Sequence, residues 1–164
     1  MADPVLVAVI VGSASDGDQI AGCREALGRL GIGHEARVIS AHRTPTELAE
    51  YLDGLEGRGI QIVIAAAGMA AHLAGVVASH TSLPVLGVPM ASGTLQGIDA
   101  LLSTVQMPPG VPVATLGIGS PGGKNAAYLA ARILALSHPE LKARLAQVLE
   151  EDREKVRAAK LPDA

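Results

Sequence analysis

The chain has 164 residues, a formal net charge of −3 and a hydrophobic fraction of 49%, against a charged fraction of 18%. This length fits one domain, and no apolar run reaches the ~18 residues of a membrane-spanning helix. The chain lacks a basic stripe and has almost no aromatic residues on which bases could stack, which argues against nucleic acid as a partner. Its single cysteine excludes an internal disulfide and fits a reducing cytoplasm.

Strand and helix patterns alternate along the chain. The continuous apolar run at residues 5–11 predicts a strand that is covered on both faces. Further strands are predicted at residues 34–39, 61–66, 84–88 and 112–118, and helices at residues 17–30, 45–57, 70–80, 94–106, 124–136 and 139–159. This alternation predicts right-handed βαβ units and a parallel sheet, so that residues 1–164 form one doubly wound α/β domain.

The turn after the second strand carries the most reactive set of side chains. Ser40, His42 and Arg43 bring a hydroxyl, an imidazole and a guanidinium together there. Thr44 is expected to cap the helix that follows, with Glu47 completing a capping box. Because open α/β sheets bind ligands at the carboxyl ends of their strands, this turn is a candidate anion site with a titratable group beside it.

Two other strand ends carry candidate binding residues. Gly12-Ser13-Ala14-Ser15-Asp16 follows the first strand, where backbone amides and hydroxyls suit a phosphate or ribose hydroxyls, and suit a plain helix cap equally well. His72 follows the third strand and is therefore expected on the same edge of the sheet as His42. Two histidines and an arginine converging from adjacent turns favour a functional site over packing.

Two further patterns point to familiar sites but fit them poorly. Residues 117–122 match G-x-G-x-x-G, yet the next helix leads to another helix and not to a strand ending in an acidic residue. A P-loop fails because Ile118 and Asn125 occupy two of its required positions. No two histidines have the helical spacing of metal ligands, so a catalytic metal is not expected.

The chain resembles the class I PurE family, the N5-carboxyaminoimidazole ribonucleotide mutases of purine biosynthesis. Nearly the whole chain takes part, and the most specific segments occur in the same order and at matching spacing. They are Gly12-Ser13-Ala14-Ser15-Asp16, Ser40-Ala41-His42-Arg43-Thr44-Pro45, Ala70-Ala71-His72-Leu73 and Val105-Gln106-Met107-Pro108. The resemblance implies a three-layer flavodoxin-like domain with a C-terminal helix, assembled as a homo-octamer, and an isomerase that uses no metal and no organic cofactor.

The resemblance also implies a substrate and a role for each site residue. The substrate is N5-carboxyaminoimidazole ribonucleotide (N5-CAIR), which loses CO2 into a closed pocket and regains it at a ring carbon, giving 4-carboxy-5-aminoimidazole ribonucleotide (CAIR). His42 shuttles the proton, Arg43 binds phosphate, and His72 lines the carboxylate end. The substrate-binding residues that the resemblance implies are Gly12, Ser13, Ser15, Asp16, Ser40, Ala41, Arg43, Ala67, Gly68, Met69, His72 and Leu73.

The chain departs from the family beside the expected carboxylate pocket, with Ala66 and Met69 where glycine is usual and Ala74 where proline is usual. We expect Met69 at negative φ, with its side chain packed against a neighbouring helix or subunit. Two other functions stay open, a carboxylase that joins CO2 directly to 5-aminoimidazole ribonucleotide (AIR) and a non-enzymatic ribonucleotide-binding domain. A transient contact with the upstream ATP-dependent synthetase also stays open.

Overall fold

One parallel sheet organises the computed structural model of the chain, which describes residues 4–161. Its strands are β1 (Val5–Val11), β2 (Gly33–Val38), β3 (Ile62–Gly68), β4 (Val85–Met90) and β5 (Ala114–Thr115). They lie in the order β2-β1-β3-β4-β5, and every neighbouring pair is parallel. The chain runs from β1 to one edge of the sheet and then returns past β1 to form β3. This reversal between β1 and β3 makes the sheet doubly wound.

Helices cover both faces of the sheet. They are α1 (Gly17–Arg29), α2 (Pro45–Asp53), α3 (Leu73–His80), α4 (Ile98–Val105), α5 (Gly119–Leu134) and α6 (Pro139–Ala158). Side chains of α1, α5 and α6 share one core with the sheet, and those of α2 and α3 share the other. The predicted three-layer flavodoxin-like fold with a C-terminal helix is therefore confirmed. The predicted domain bounds, 1–164, include residues 1–3 and 162–164, which lie outside the described residues. Within residues 4–161, no helix combines the length and the apolar character needed to cross a membrane.

The alternation of side chains along β1 explains why the strand is apolar throughout. Val7 and Val9 are fully buried in the core shared with α1, α5 and α6, whereas Ala8 and Ile10 are fully buried in the core shared with α2 and α3. Successive side chains of a strand point to opposite faces, so a central strand of a three-layer fold needs apolar residues at every position.

The glycine-rich segment near the start of α5 serves packing. Residues 119–123, predicted as a loop, form the beginning of the helix. The Cα of Gly122 lies so close to the backbone of Gly117 that a Cβ at Gly122 would overlap the Gly117 carbonyl oxygen. The G-x-G-x-x-G pattern is therefore accounted for by a close approach of backbone to backbone.

Two helices begin later than predicted, and the last strand is shorter. Helix α4 starts at Ile98 because Gln96 and Gly97 both have positive φ, at 50° and 90°, which interrupts helical geometry before it. Helix α3 starts at Leu73, after a turn that contains another residue with positive φ. Strand β5 pairs with β4 only over Ala114–Thr115.

Candidate active site

A cavity of about 550 Å³ opens at the carboxyl ends of β1, β2, β3 and β4. His42 and every predicted binding residue line it, and Ala70 and Ser92 line it in addition. The cavity residues are Gly12, Ser13, Ser15, Asp16, Ser40, Ala41, His42, Arg43, Ala67, Gly68, Met69, Ala70, His72, Leu73 and Ser92. The cavity straddles the point between β1 and β3 where the winding reverses, which is the usual ligand site of such sheets.

The segment after β1 forms one wall with polar groups. Ser13 caps a short 3-10 turn, and its Oγ accepts hydrogen bonds from the backbone N of Ser15 at 3.3 Å and from the Ser15 hydroxyl at 2.8 Å. Asp16 ends this turn and is only 7% exposed. Burial raises the pKa of the Asp16 carboxyl, and a backbone hydrogen bond at Ser13 and the charge of Arg43 oppose that rise. The capping interpretation is thus correct for Ser13, although the segment faces the cavity as well.

The turn after β2 is closed by Thr44 in a way that the sequence did not predict. Thr44 precedes α2 as its N-cap, but its side chain makes no cap hydrogen bond, so the expected capping box with Glu47 is wrong. Instead, Thr44 Oγ1 accepts from the Ser40 backbone N at 3.0 Å and donates to the Ser40 carbonyl at 3.1 Å. The Thr44 hydroxyl therefore closes the turn that carries His42 and Arg43 and does not cap helix α2.

Replacing Thr44 with valine is expected to lower the free energy of unfolding by about 1 kcal/mol, because both hydrogen bonds to Ser40 are lost and the half-buried Ser40 N–H loses its acceptor. Thr44→Ser should retain most of that stability. Urea denaturation at one fixed protein concentration measures the difference, with Thr46→Val at an exposed position of α2 as the control. Equal stability of Thr44→Val and the parent protein would contradict the role given to the hydroxyl.

Arg43 joins the ends of β1 and β2. Its Nη2 donates to the Gly12 carbonyl at 3.0 Å, and its backbone N donates to Ser40 Oγ at 3.2 Å. The Nε is also directed at Ser40 Oγ, at 3.5 Å. A guanidinium has five N–H donors in a planar fork, so these contacts orient the group and leave donors for a ligand. The result is a positioned cationic group on the cavity wall.

His42 and His72 form a hydrogen-bonded pair, which confirms that they share one edge of the sheet. His42 Nε2 lies 2.8 Å from His72 Nδ1, and the rings meet edge to face with centroids 4.9 Å apart. One of these nitrogens must carry a proton and the other must accept it, so at least one imidazole of the pair is neutral. Both rings are exposed to the cavity side. Such a pair is able to hold one mobile proton between two turns of the sheet edge.

Met69 has a φ of 57°, so the expectation of a negative φ is wrong. The residue follows the end of β3, where tight turns join the Ala71 N–H to the Met69 carbonyl at 2.9 Å and the His72 N–H to the Ala70 carbonyl at 2.8 Å. This reversal of direction requires the left-handed conformation at Met69. That conformation costs free energy for any residue with a Cβ, methionine included. Met69 is 62% exposed and lines the cavity.

The other two departures from the expected family pattern lie in the core. Ala66 is fully buried in β3 and Ala74 is 3% exposed in α3. Neither lines the cavity.

Sequence reasoning did not assign Ala70 and Ser92 to the site, although the rule that pointed to the turns after β1, β2 and β3 covers both. Ser92 follows the end of β4 by two residues, and Ala70 follows the end of β3 by two. Applying the rule for carboxyl ends to every strand would have included them. Within residues 4–161, no three histidine, cysteine, aspartate or glutamate side chains are grouped as ligands for a metal ion.

The sequence matches the family described as AIR carboxylase over residues 6–155. The N5-carboxyaminoimidazole ribonucleotide mutase of Pseudomonas aeruginosa is 55% identical over 135 residues, covering 82% of this chain and 83% of that protein. The N5-carboxyaminoimidazole ribonucleotide mutase of Saccharolobus solfataricus is 52% identical over 155 residues, covering 94% and 97%. A crystal structure of Treponema denticola PurE superposes with a TM-score of 0.83 at 29% identity, covering 92% of this chain and 93% of the other.

Proposed function

Because the chain belongs to the AIR carboxylase family, we propose that it is an N5-carboxyaminoimidazole ribonucleotide mutase, an isomerase of purine biosynthesis that converts N5-CAIR to CAIR. The observation that carries the proposal is the His42–His72 hydrogen bond in the same cavity as the positioned Arg43 guanidinium. Relatives that share half or more of their residues with this chain over most of its length bear the name of this mutase, which supports the same reaction.

The reaction moves one carboxylate and one proton without a change of oxidation state. The bond between the exocyclic nitrogen and the carboxylate carbon breaks, and CO2 is released as that nitrogen gains a proton. The ring carbon C4 then attacks CO2, a carbon–carbon bond forms, and C4 loses its proton. The net transfer of a proton is from C4 to nitrogen, so one group that both donates and accepts is sufficient.

His42 is the group that we assign to this proton transfer. An imidazole donates and accepts near neutral pH, which a general acid and base requires. The hydrogen bond between His42 Nε2 and His72 Nδ1 orients both rings and gives the proton a second nitrogen on which to reside. His72 therefore supports the exchange from the turn after β3. Trapping CO2 beside its acceptor is a problem of proximity, which the cavity addresses by holding all reacting groups together.

The nucleotide part of the substrate is assigned to the walls after β1 and β2. Arg43 offers free N–H donors for the phosphate, and Ser13 and Ser15 offer hydroxyls beside it. The buried carboxyl of Asp16 is a suitable partner for ribose hydroxyls. This arrangement leaves the imidazole ring of the substrate beside His42.

Supplying each substrate separately tests the proposed reaction. The purified chain is expected to convert N5-CAIR to CAIR without added CO2, and to act in reverse on CAIR. A carboxylase would instead require AIR and CO2, supplied as bicarbonate, and a non-enzymatic binding domain would bind nucleotide but change neither substrate. Conversion of AIR with bicarbonate, together with no conversion of N5-CAIR, would overturn the mutase assignment.

An apolar stripe on α4 and the loop before it supports contact between copies of the chain, and the proposed number of eight, a homo-octamer, rests on the family. Leu95, Ile98, Leu102 and Val105 follow one another at a spacing of three or four residues and are each about half exposed. A row of exposed aliphatic side chains of this kind marks an interface between proteins. The stripe is therefore proposed as part of the contact between protomers.

The cytoplasm as compartment and a transient contact with the upstream ATP-dependent synthetase are proposals that rest on the family alone.

Sedimentation velocity in dilute buffer is expected to show one species at the mass of an octamer. Leu102→Glu should shift it to smaller species, because a charge buried in an apolar contact is costly. Leu136→Glu is the matched control, since Leu136 is 88% exposed and lies outside the stripe. A stable monomer of the parent protein, or an octamer of Leu102→Glu as stable as the parent, would contradict this role of the stripe.

A further inference from the structure

Ser92 lines the cavity just after the end of β4. The last residue of β4, Met90, pairs in register with Gly68 at the end of β3, and Ser92 follows two residues later. Its side chain folds back over Gly68, where a Cβ on the glycine would collide with Ser92 Oγ. The absence of a side chain at Gly68 therefore makes room for this hydroxyl.

The Ser92 hydroxyl lacks an internal hydrogen-bond partner. Its Oγ is buried, and within residues 4–161 it makes no hydrogen bond to another protein group. The great majority of buried polar side-chain atoms in proteins are hydrogen-bonded, so each exception calls for an explanation. A bound ligand group at the Gly68 end of the cavity would provide the partner once the Ser92 side chain turns from Gly68 toward the cavity.

Helix α1 fixes the backbone beside Ser92 through two hydrogen bonds. Gln19 of α1 donates from Nε2 to the Ala91 carbonyl at 3.0 Å, and its Oε1 accepts from the Ala91 N–H at 2.9 Å. This pair of hydrogen bonds fixes the residue immediately before Ser92. A hydroxyl on such a fixed backbone is preorganised to meet a ligand at low entropic cost.

The layout of the cavity indicates which ligand group Ser92 meets. Arg43 and the serines after β1 and β2 occupy one side, whereas Gly68 and Ser92 occupy the ends of β3 and β4. His42 reaches toward the β3 side through its hydrogen bond to His72. A nucleotide with its phosphate at Arg43 and its ring at His42 therefore directs the migrating carboxylate toward Gly68 and Ser92.

We propose that the Ser92 hydroxyl donates a hydrogen bond to the carboxylate that migrates in the mutase reaction. The assignment rests on the proposed function and adds a substrate-contacting residue to it. The hydroxyl donates to a carboxylate oxygen in the ground state and to the same oxygen of CO2 after the carbon–nitrogen bond breaks, which keeps the CO2 carbon near C4. It forms no covalent bond and transfers no proton.

Calorimetric binding of CAIR and AIR to Ser92→Ala tests the assignment, because the two nucleotides differ by the carboxylate. A hydrogen bond to a charged acceptor changes affinity by roughly ten- to a hundredfold. We expect Ser92→Ala to weaken CAIR binding by about tenfold or more and to leave AIR binding within about twofold. Its thermal midpoint should equal or exceed that of the parent, since the lost hydroxyl has no protein partner.

Ser79→Ala is the matched control, because Ser79 lies outside the cavity and its hydroxyl donates to the Val76 carbonyl at 2.7 Å. It should change the affinity for neither nucleotide. If the parent binds both nucleotides and Ser92→Ala weakens both equally or neither, the assignment of Ser92 is overturned and the mutase proposal stands. If the parent binds neither nucleotide, the mutase proposal fails and this assignment fails with it.

Discussion

His42→Asn is expected to slow the interconversion of N5-CAIR and CAIR by ~10²–10⁴-fold, the range that a general acid or base contributes. An asparagine amide fills part of the space of the imidazole and is able to donate toward His72 Nδ1, but it does not exchange a proton near neutral pH. Affinity for CAIR should therefore stay within a few-fold of the parent. Steady-state rates in both directions, with calorimetric binding of CAIR, separate the two effects.

His80→Asn is the control for this substitution. His80 ends α3, is exposed, and lies outside the cavity, so its replacement should leave the rate unchanged. If His42→Asn kept a rate within a few-fold of the parent, His42 would be removed from the mechanism. His72 would then be the first residue to examine as the proton carrier.

Arg43→Lys is expected to weaken nucleotide binding by about tenfold or more and to affect the rate at saturation much less. A lysine ammonium is a point charge without the planar fork, and it cannot at the same time contact the Gly12 carbonyl, face Ser40 and bind a phosphate bidentately. The loss of orientation adds to the loss of a charge-assisted hydrogen bond. A rise in KM with little change in kcat would record this outcome.

The dephosphorylated nucleoside distinguishes a phosphate contact from a general disturbance of the site. Its affinity should be nearly the same for the parent and Arg43→Lys, because it lacks the group that Arg43 is assigned to bind. Arg132→Lys, at an exposed position of α5, is the matched control and should bind the nucleotide like the parent. If nucleoside and nucleotide lost affinity equally in Arg43→Lys, the phosphate assignment would be wrong.

Sequence pattern predicted the doubly wound α/β fold and the polar part of the cavity wall, and the resemblance to the PurE family supplied the other wall residues. The apolar run Val5–Val11 has only one stable environment, a strand buried on both faces, and the alternation of such runs with helices leads to a doubly wound sheet. Because the ends of parallel strands meet at one edge, the residues after β1, β2 and β3 were expected to face one another. His42 and His72 do so at 2.8 Å, 30 residues apart in the chain.

Details of turn conformation and of hydrogen-bond partners were decided only by the tertiary structure. By local preference the Thr44 side chain would cap helix α2, but its hydroxyl is instead hydrogen-bonded to the backbone N–H and carbonyl of Ser40. Met69 adopts positive φ because the chain must reverse between β3 and α3, and the surrounding structure overrides the local cost. Gln19 fixes the backbone of Ala91, 72 residues away in the chain, and thereby positions Ser92 beside the cavity. Sequence periodicity reports which face of an element is buried, but it carries no record of which polar groups two elements will bring within hydrogen-bond distance.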